Sequence, residues 1–250
     1  MKSQQYQQLA ETEARHWWHR SRQALAAGYL DRMALKQPAR ILDVGCGTGG
    51  TTRFLLRYGS VIGLDRSQQG LAHARRKAPA ATLVQGDANR LAELFAPTSF
   101  DLITFFNVLY HQWITDDQAI ISATSKLLRP GGRLLLTEPA FDVLMRRHDR
   151  LDMGKQRYRM QDFKRFFENA GLRFEAGQYF NALAVPVCLA LALTDRWRAD
   201  GDDDDQASEM AVPAEPINAL LWRYMALESS VLRTLQIPLG VTLLAIARKS

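Results

Sequence analysis

The chain has 250 residues, 47% of them hydrophobic, which suits one α/β core with elaborations. Lysines and arginines number 32 against 26 acids, a formal charge of +6 and a sequence pI near 9.5, which favours acidic partners such as phosphates, anionic glycans or a membrane surface without choosing among them. The two cysteines, Cys46 and Cys188, lie far apart and in no CxxC or Cys/His spacing, which argues against a disulfide framework and a cysteine metal site and makes a reducing cytoplasm the expected compartment.

In chain order, the N-terminus lacks the apolar run of ~7 to 15 residues that a secretory signal needs. It carries instead the cluster "HWWHR", His16 to Arg20. If Glu13 to Leu35 is largely helical, His16 and Arg20 share a face, as do Trp18 and Arg22, while Trp17 points about 100° from Trp18. Four apolar runs follow that read as buried strands of a parallel sheet: "ARILDVG" (39 to 45), "SVIGLD" (60 to 65), "FDLITFFN" (100 to 107) and "GGRLLLTEP" (131 to 139). "ATLVQ" adds a short one. Helix-like stretches lie between them, the last stopped by Pro130 and Gly131. The order β-α-β-α-β-α-β predicts a doubly wound sheet.

After Pro139 come a basic loop, the helix "MQDFKRFFENAG", the strand "RFEAGQYFN", an apolar helix, an acidic linker, a further helix and the strand "GVTLLAIARK". The apolar run from Phe180 to Leu193 has 14 residues and a proline. That is short of the ~20 that span a bilayer, so a buried or an interfacial helix is expected. Asp202 to Asp205 read as a solvated loop rather than a cation site.

The chemistry begins at "LDVGCGTGG", where glycines at alternate positions precede a helix and let the backbone turn sharply and approach a ligand. Taken as Gly45, Gly47 and Gly50, they also satisfy G-x-G-x-x-G, so a nicotinamide cofactor and another adenosine ligand both remain open. Asp43, two residues earlier, suits a cationic ligand better than a pyrophosphate. Asp65 ends the second strand 22 residues after Asp43, where an acid accepts hydrogen bonds from ribose hydroxyls. Asp87, in "GDA", either neighbours an adenine amino group or caps a turn.

"ILDVGCGTG", Asp65, "GDA", "FDLITFFNVLYH" and "LLRPGGRLLLTEP" together resemble the class I S-adenosylmethionine (SAM)-dependent methyltransferases over residues 39 to 139. The resemblance implies a Rossmann-like, mainly parallel seven-stranded sheet with an antiparallel last strand. It implies a helical lid over residues 1–37, a SAM-binding core over 38–140, and a C-terminal half over 141–250 with a substrate loop and a helical insertion. It assigns Gly45, Cys46, Gly47 and Asn107 to the methionine moiety, Asp65 to the ribose, and Asp87 with Ala88 to the adenine. Trp18, Arg20, Asp43 and Arg66 complete the expected cofactor set. The flanks are similar to a bacterial subgroup with an N-terminal HWW motif, often encoded beside glycosyltransferases.

A lid of aromatic rings suits transfer of a cationic methyl, and Arg20 or Arg22 could hold a carboxylate of cofactor or acceptor; both tryptophans could equally anchor the helix to the core. For a base, His111 leads, with Glu138 and His148 behind it, unless the acceptor is already ionised. The cation-rich stretch from Met145 to Arg165 could grip an anionic acceptor or form a basic surface. Trp17, Arg22, Tyr110, Arg157, Tyr158, Tyr179 and Asn181 make the expected acceptor set; no metal is expected. The expected activity is methyl transfer, at oxygen, to a glycan, lipid-linked sugar or small anionic acceptor. No nucleic-acid recognition module occurs, and no membrane span is expected, only a peripheral contact. The rivals are an NAD-dependent oxidoreductase and a non-catalytic subunit that binds a partner or membrane through the apolar helix near Val187 and the helix "INALLWRYMALESSVLRTL".

Overall fold

Seven strands form one sheet in the order β3-β2-β1-β4-β5-β7-β6, built from β1 (Arg40–Val44), β2 (Ser60–Asp65), β3 (Thr82–Gln85), β4 (Phe100–Phe106), β5 (Leu128–Pro139), β6 (Leu172–Phe180) and β7 (Thr242–Lys249). The computed structural model describes residues 3–195, 212–232 and 235–250, with side chains from Tyr6 onward. Asp202 to Asp205 therefore lie outside the described residues. β1 to β5 run parallel, and β7 lies antiparallel between β5 and β6. β1, β2 and β4 are in step, Asp43 facing Gly63 on one side and Thr104 on the other, so their carboxyl ends meet along one edge.

Period-two alternation covers both faces of the sheet. Leu42, Val44, Leu134 and Leu136 point into one buried cluster with Phe163 and Phe167. Ile41, Leu135, Leu244 and Ile246 point into the other with Leu25, Leu30 and Met225. The strands thus read as continuous apolar runs because neither face is wet.

The helices are α1 (Ser3–Thr12), α2 (Trp17–Leu30), α3 (Gly50–Leu55), α4 (Gln68–Lys77), α5 (Leu91–Leu94), α6 (Asp117–Leu127), α7 (Arg147–Leu151), α8 (Met160–Asn169), α9 (Ala184–Asp195) and α10 (Glu215–Val231). The helix expected from Glu13 to Leu35 is in fact α2 alone. His16 stands in extended backbone and its Nδ1 accepts from the Trp18 N–H at 3.2 Å, a side-chain cap that starts the helix at Trp17. α2 is pinned to α10, since the Trp17 N–H donates to Asn218 Oδ1 at 2.9 Å and Asn218 Nδ2 donates to the Arg15 carbonyl at 3.0 Å. α8 buries Phe163 and Phe167 one turn apart and keeps its charges outward. α9 is different: only Ala192 is buried, although no charge occurs before Asp195. No helix of the described residues is long and apolar enough to cross a membrane.

Candidate active site

At the carboxyl edge of the sheet lies a cavity of about 470 Å³, within the range of small-molecule sites. β1 delivers the chain to Gly45, whose φ is +71° and where a Cβ would stand 2.5 Å from the Val108 side chain. Only glycine suits that turn. The Gly45 and Cys46 N–H groups both donate to the Leu64 carbonyl, and the Gly47 N–H donates to Asp65 Oδ2 at 2.8 Å. Asp65 Oδ1 accepts from the Ser67 N–H at 2.8 Å. Each oxygen keeps a further acceptor site, and Asp65 lines the cavity. Burial pushes its carboxyl above the ordinary 3.8, against the two N–H bonds that pull it down.

Asp43 lies beneath this loop and does not line the cavity. It is 1% exposed, and its oxygens accept from Thr52 Oγ1 at 2.7 Å and Thr104 Oγ1 at 3.0 Å, while burial pushes its carboxyl up to about 6. It ties β1 to α3 and β4 rather than facing a cationic ligand. Cys46, which does line the cavity, has its thiol pushed well up by burial.

The outer end is bounded by Arg66, Asp87, Ala88 and Trp113. Asp87 caps a 3₁₀ turn, its Oδ1 accepting from the Asn89 N–H at 2.9 Å and from Asn89 Nδ2 at 2.7 Å. The Arg66 guanidinium lies 5.2 Å from the Trp113 ring centre.

The roof over the glycine loop is α1, with Tyr6, Leu9 and Thr12 facing the cavity. Glu13, just beyond it, accepts from Thr48 Oγ1 at 2.7 Å and pairs with Lys77 of α4. A Cβ on Gly50 would run into the Glu13 carboxylate, so this glycine makes room for the strap. Trp17 and Trp18 both line the cavity, and Trp18 also stacks on Phe180 with ring centres 5.7 Å apart. Packing and cleft-facing, weighed as alternatives from sequence, are both present in that residue. Arg20 is turned away. It is exposed, and its guanidinium lies 4.5 Å over the Trp222 ring of α10, outside the cavity.

Arg22, two residues and about 200° further round α2, does face in. It is 7% exposed, its Nε is buried without a hydrogen-bond partner among the described residues, and its guanidinium stands 5.4 Å from the Phe106 ring. Burial lowers its pKa, opposed by the charges of Glu13, Glu138 and Asp43. A buried cation with an unmet donor is completed by an anion.

At the inner end β4 stops at Phe106, and Asn107 takes φ 59° while its N–H donates to the Thr137 carbonyl at 2.8 Å. Asn107, Tyr110, His111, His148, Arg157 and Asn181 all line the cavity. His111 is clasped between Tyr110 and Trp113, ring centres 4.0 and 3.9 Å away, and burial pulls its pKa down to about 3. It is neutral at pH 7 and a weak base. His148 Nε2 lies 3.1 Å from Asp152 Oδ2, a carboxylate that orients the ring.

Besides Asp43 and Arg20, three expected residues are diverted from the cavity. Glu138 has no exposure, and its carboxylate accepts from the Val108, Leu109 and Tyr110 N–H groups at 3.0, 2.9 and 3.3 Å. It holds the loop after β4 and does not line the cavity. Tyr158 is 1% exposed and donates to the Leu109 carbonyl at 2.8 Å. Tyr179 stacks on Phe141, and its hydroxyl accepts from the Met160 N–H at 2.7 Å. The basic stretch is largely neutralised: Arg157 forks onto Asp149, Lys155 pairs with Asp117 at 2.7 Å, and Arg146 lies 3.4 Å from Asp195. The helical lid expected over residues 1–37 takes in α1, but its cavity residues Tyr6, Leu9 and Thr12 were not singled out from sequence, nor were Trp113 and the Asp149–Asp152 wall. Trp113 lies two residues beyond "FDLITFFNVLYH", close enough to have been a candidate; α1 carried no motif.

Strand order and glycine loop define a Rossmann-like fold, with a roofed cleft at the carboxyl edge of its sheet. Residues 41–132 match the methyltransferase domain family. The chain is 38% identical over 140 residues to a malonyl-[acyl-carrier protein] O-methyltransferase of Enterobacter lignolyticus, covering 56% of this chain and 51% of the relative. It is 37% identical over 117 residues to a trans-aconitate 2-methyltransferase of Methylobacterium nodulans, covering 46% and 43%. The chain thus spans about half the length of these curated relatives. The fold also matches the crystal structure of an S-adenosylmethionine dependent methyltransferase from Mesorhizobium loti, with TM-score 0.58, 19% identity, and coverage of 90% of this chain and 98% of that one.

Proposed function

We propose that this chain is a SAM-dependent methyltransferase acting at oxygen on a small anionic, glycan or lipid-linked acceptor. The observation that carries the reading is the cleft's charge pattern. A carboxylate with free acceptor capacity, Asp65, stands beside the glycine loop, and a buried cation whose Nε has no hydrogen-bond partner among the described residues, Arg22, faces the same cavity. These suit the two ribose hydroxyls and the carboxylate of SAM, with Arg66, Asp87, Ala88 and Trp113 left for the adenine. When bound, that cofactor supplies an electrophilic methyl on a sulfonium. The chain's own part is to orient and to exclude water: α1 covers the site, Trp17 and Trp18 present aromatic faces that tolerate a cation, and the loop held by Glu138 aims Asn107 and Tyr110. Of the three candidate bases, His148 is the one that lines the cavity with a carboxylate partner, and we assign it any proton removal.

An NAD-dependent oxidoreductase is disfavoured by the sheet. Its usual six strands run parallel in the order 3-2-1-4-5-6, whereas here an antiparallel β7 is inserted between β5 and β6. The name of the malonyl-[acyl-carrier protein] O-methyltransferase relative supports oxygen as the acceptor atom.

The test is calorimetric titration with SAM and with NAD, followed by incubation with methyl-labelled SAM and host extract separated into lipid, polysaccharide, small-molecule, protein and nucleic-acid fractions. SAM binding with label in the lipid, polysaccharide or small-molecule fraction is expected. NAD binding without SAM binding would overturn the reaction; label in protein or nucleic acid would overturn the acceptor class.

A further inference from the structure

Large apolar side chains that face water concentrate on α9, α10 and the turns beside them. On α9 and its lead-in, Leu183 is 70% exposed, Val187 60% and Leu191 39%. Their spacing, four residues apart, puts them on one stripe of the helix. On α10, Leu220 is 66% exposed and Leu227 67%, seven residues apart on a second stripe. The lead-in to α9 touches the middle of α10, where the Leu183 N–H donates to Tyr224 Oη at 3.1 Å. Val143, 50% exposed, extends the patch in the turn that packs against α9. An apolar surface on this scale is kept for a partner.

Cations rim it. Arg150 on α7, the helix whose first residue donates its backbone N–H to Asp195 at the end of α9, is exposed. Arg223, also exposed, lies on the α10 stripe between Leu220 and Leu227. Aliphatic side chains flanked by arginines complement the acyl boundary and anionic headgroups of a bilayer. The inner side of α9 brings Cys188 to the cavity, and α7 brings His148, so the elements that bear the patch also wall the acceptor end.

We propose that the α9–α10 face docks on an anionic lipid bilayer and presents the acceptor end of the cavity to the membrane surface. Docking itself does not depend on the catalytic reading; delivery of a lipid-linked acceptor rests on it.

The test is sedimentation of the full chain with phosphatidylcholine vesicles, with and without phosphatidylglycerol, for the wild type, Val187→Glu/Leu227→Glu and Arg150→Glu/Arg223→Glu. SAM titration and thermal unfolding are run on each protein, and Leu94→Glu, remote from the face, is the control. The expected result is pelleting that needs phosphatidylglycerol, falls at least about tenfold in the apolar-face variant and falls with salt in the wild type, with SAM affinity unchanged. Failure of the wild type to pellet, or equal pelleting of the apolar-face variant, overturns the proposal. So does a concentration-dependent dimer that the same substitutions dissolve without any vesicle binding, which would make the face an interface between copies. Loss of SAM binding in the wild type would sink the catalytic reading and leave docking standing.

Discussion

Arg22 spends its charge inside the protein with Nε unpaired, and such a group costs stability until a ligand completes it. Arg22→Met should therefore raise the melting temperature of the ligand-free protein, by about 2–8 °C if about 1–2 kcal/mol is recovered. The same change should weaken SAM binding by about 10–100-fold, the worth of one charged hydrogen bond. Calorimetry with differential scanning checks both, and an unchanged affinity would assign the cation a purely structural place. Asp65→Ala should be more severe, because it removes the proposed ribose acceptor and also the anchor of the Gly47 N–H; a loss of at least about 100-fold in SAM affinity is expected, and normal affinity would sink the site. Glu138 gives a pH signature. Burial pushes its carboxyl from the ordinary 4.5 up to about 8 in spite of three N–H donors. Between those values the folded protein keeps a proton that the unfolded chain has released, so stability falls as pH rises through about 4.5 to 8. Asp43, raised to about 6, adds to the lower part of that fall. Glu138→Gln should flatten the upper part and cost about 1–3 kcal/mol, since its amide sets a donor against the Tyr110 N–H. Denaturant unfolding at pH 5, 7 and 9 measures both effects.

The strap formed by α1 and Glu13 is held across the glycine loop by Thr48 and Lys77 rather than by a deep apolar face. Such a segment opens at low cost and sets how fast a ligand leaves. Lys77→Ala should speed SAM release by about fivefold, the worth of about 1 kcal/mol, with little change in melting temperature. Stopped-flow tryptophan fluorescence reads it through Trp17 and Trp18, and an unchanged release rate would show that the strap is no gate. α2 combines support with lining: Trp18→Ala should cost about 2–3 kcal/mol through the lost Phe180 stack, as well as turnover. The turn before α2 explains why an unbroken helix from Glu13 is not formed, since the His16 cap sets where helical backbone begins.

At the scale of the molecule, a ligand held between strap, sheet edge and α2 couples parts that unfold together. Saturating SAM at about 100 times its dissociation constant should add about 2.7 kcal/mol and raise the melting temperature by several degrees, with NAD giving no shift. The sequence by itself determined the alternation of strands and helices, the glycine turn at Gly45 and the acid at the end of β2. Each of these is a local signal: period-two burial, a backbone that excludes a Cβ, a carboxylate at a strand end. The tertiary structure decided which polar side chains reach the cleft, because that depends on partners distant in the chain. Arg20 leaves the site for Trp222, 202 positions away, while Arg22 is left inside it. Asp43 is absorbed by Thr104, Tyr158 by the Leu109 carbonyl, and Glu138 by the loop of its neighbouring strand. Those choices were settled by which donors lay unpaired when the sheet closed, and no spacing along the chain records them.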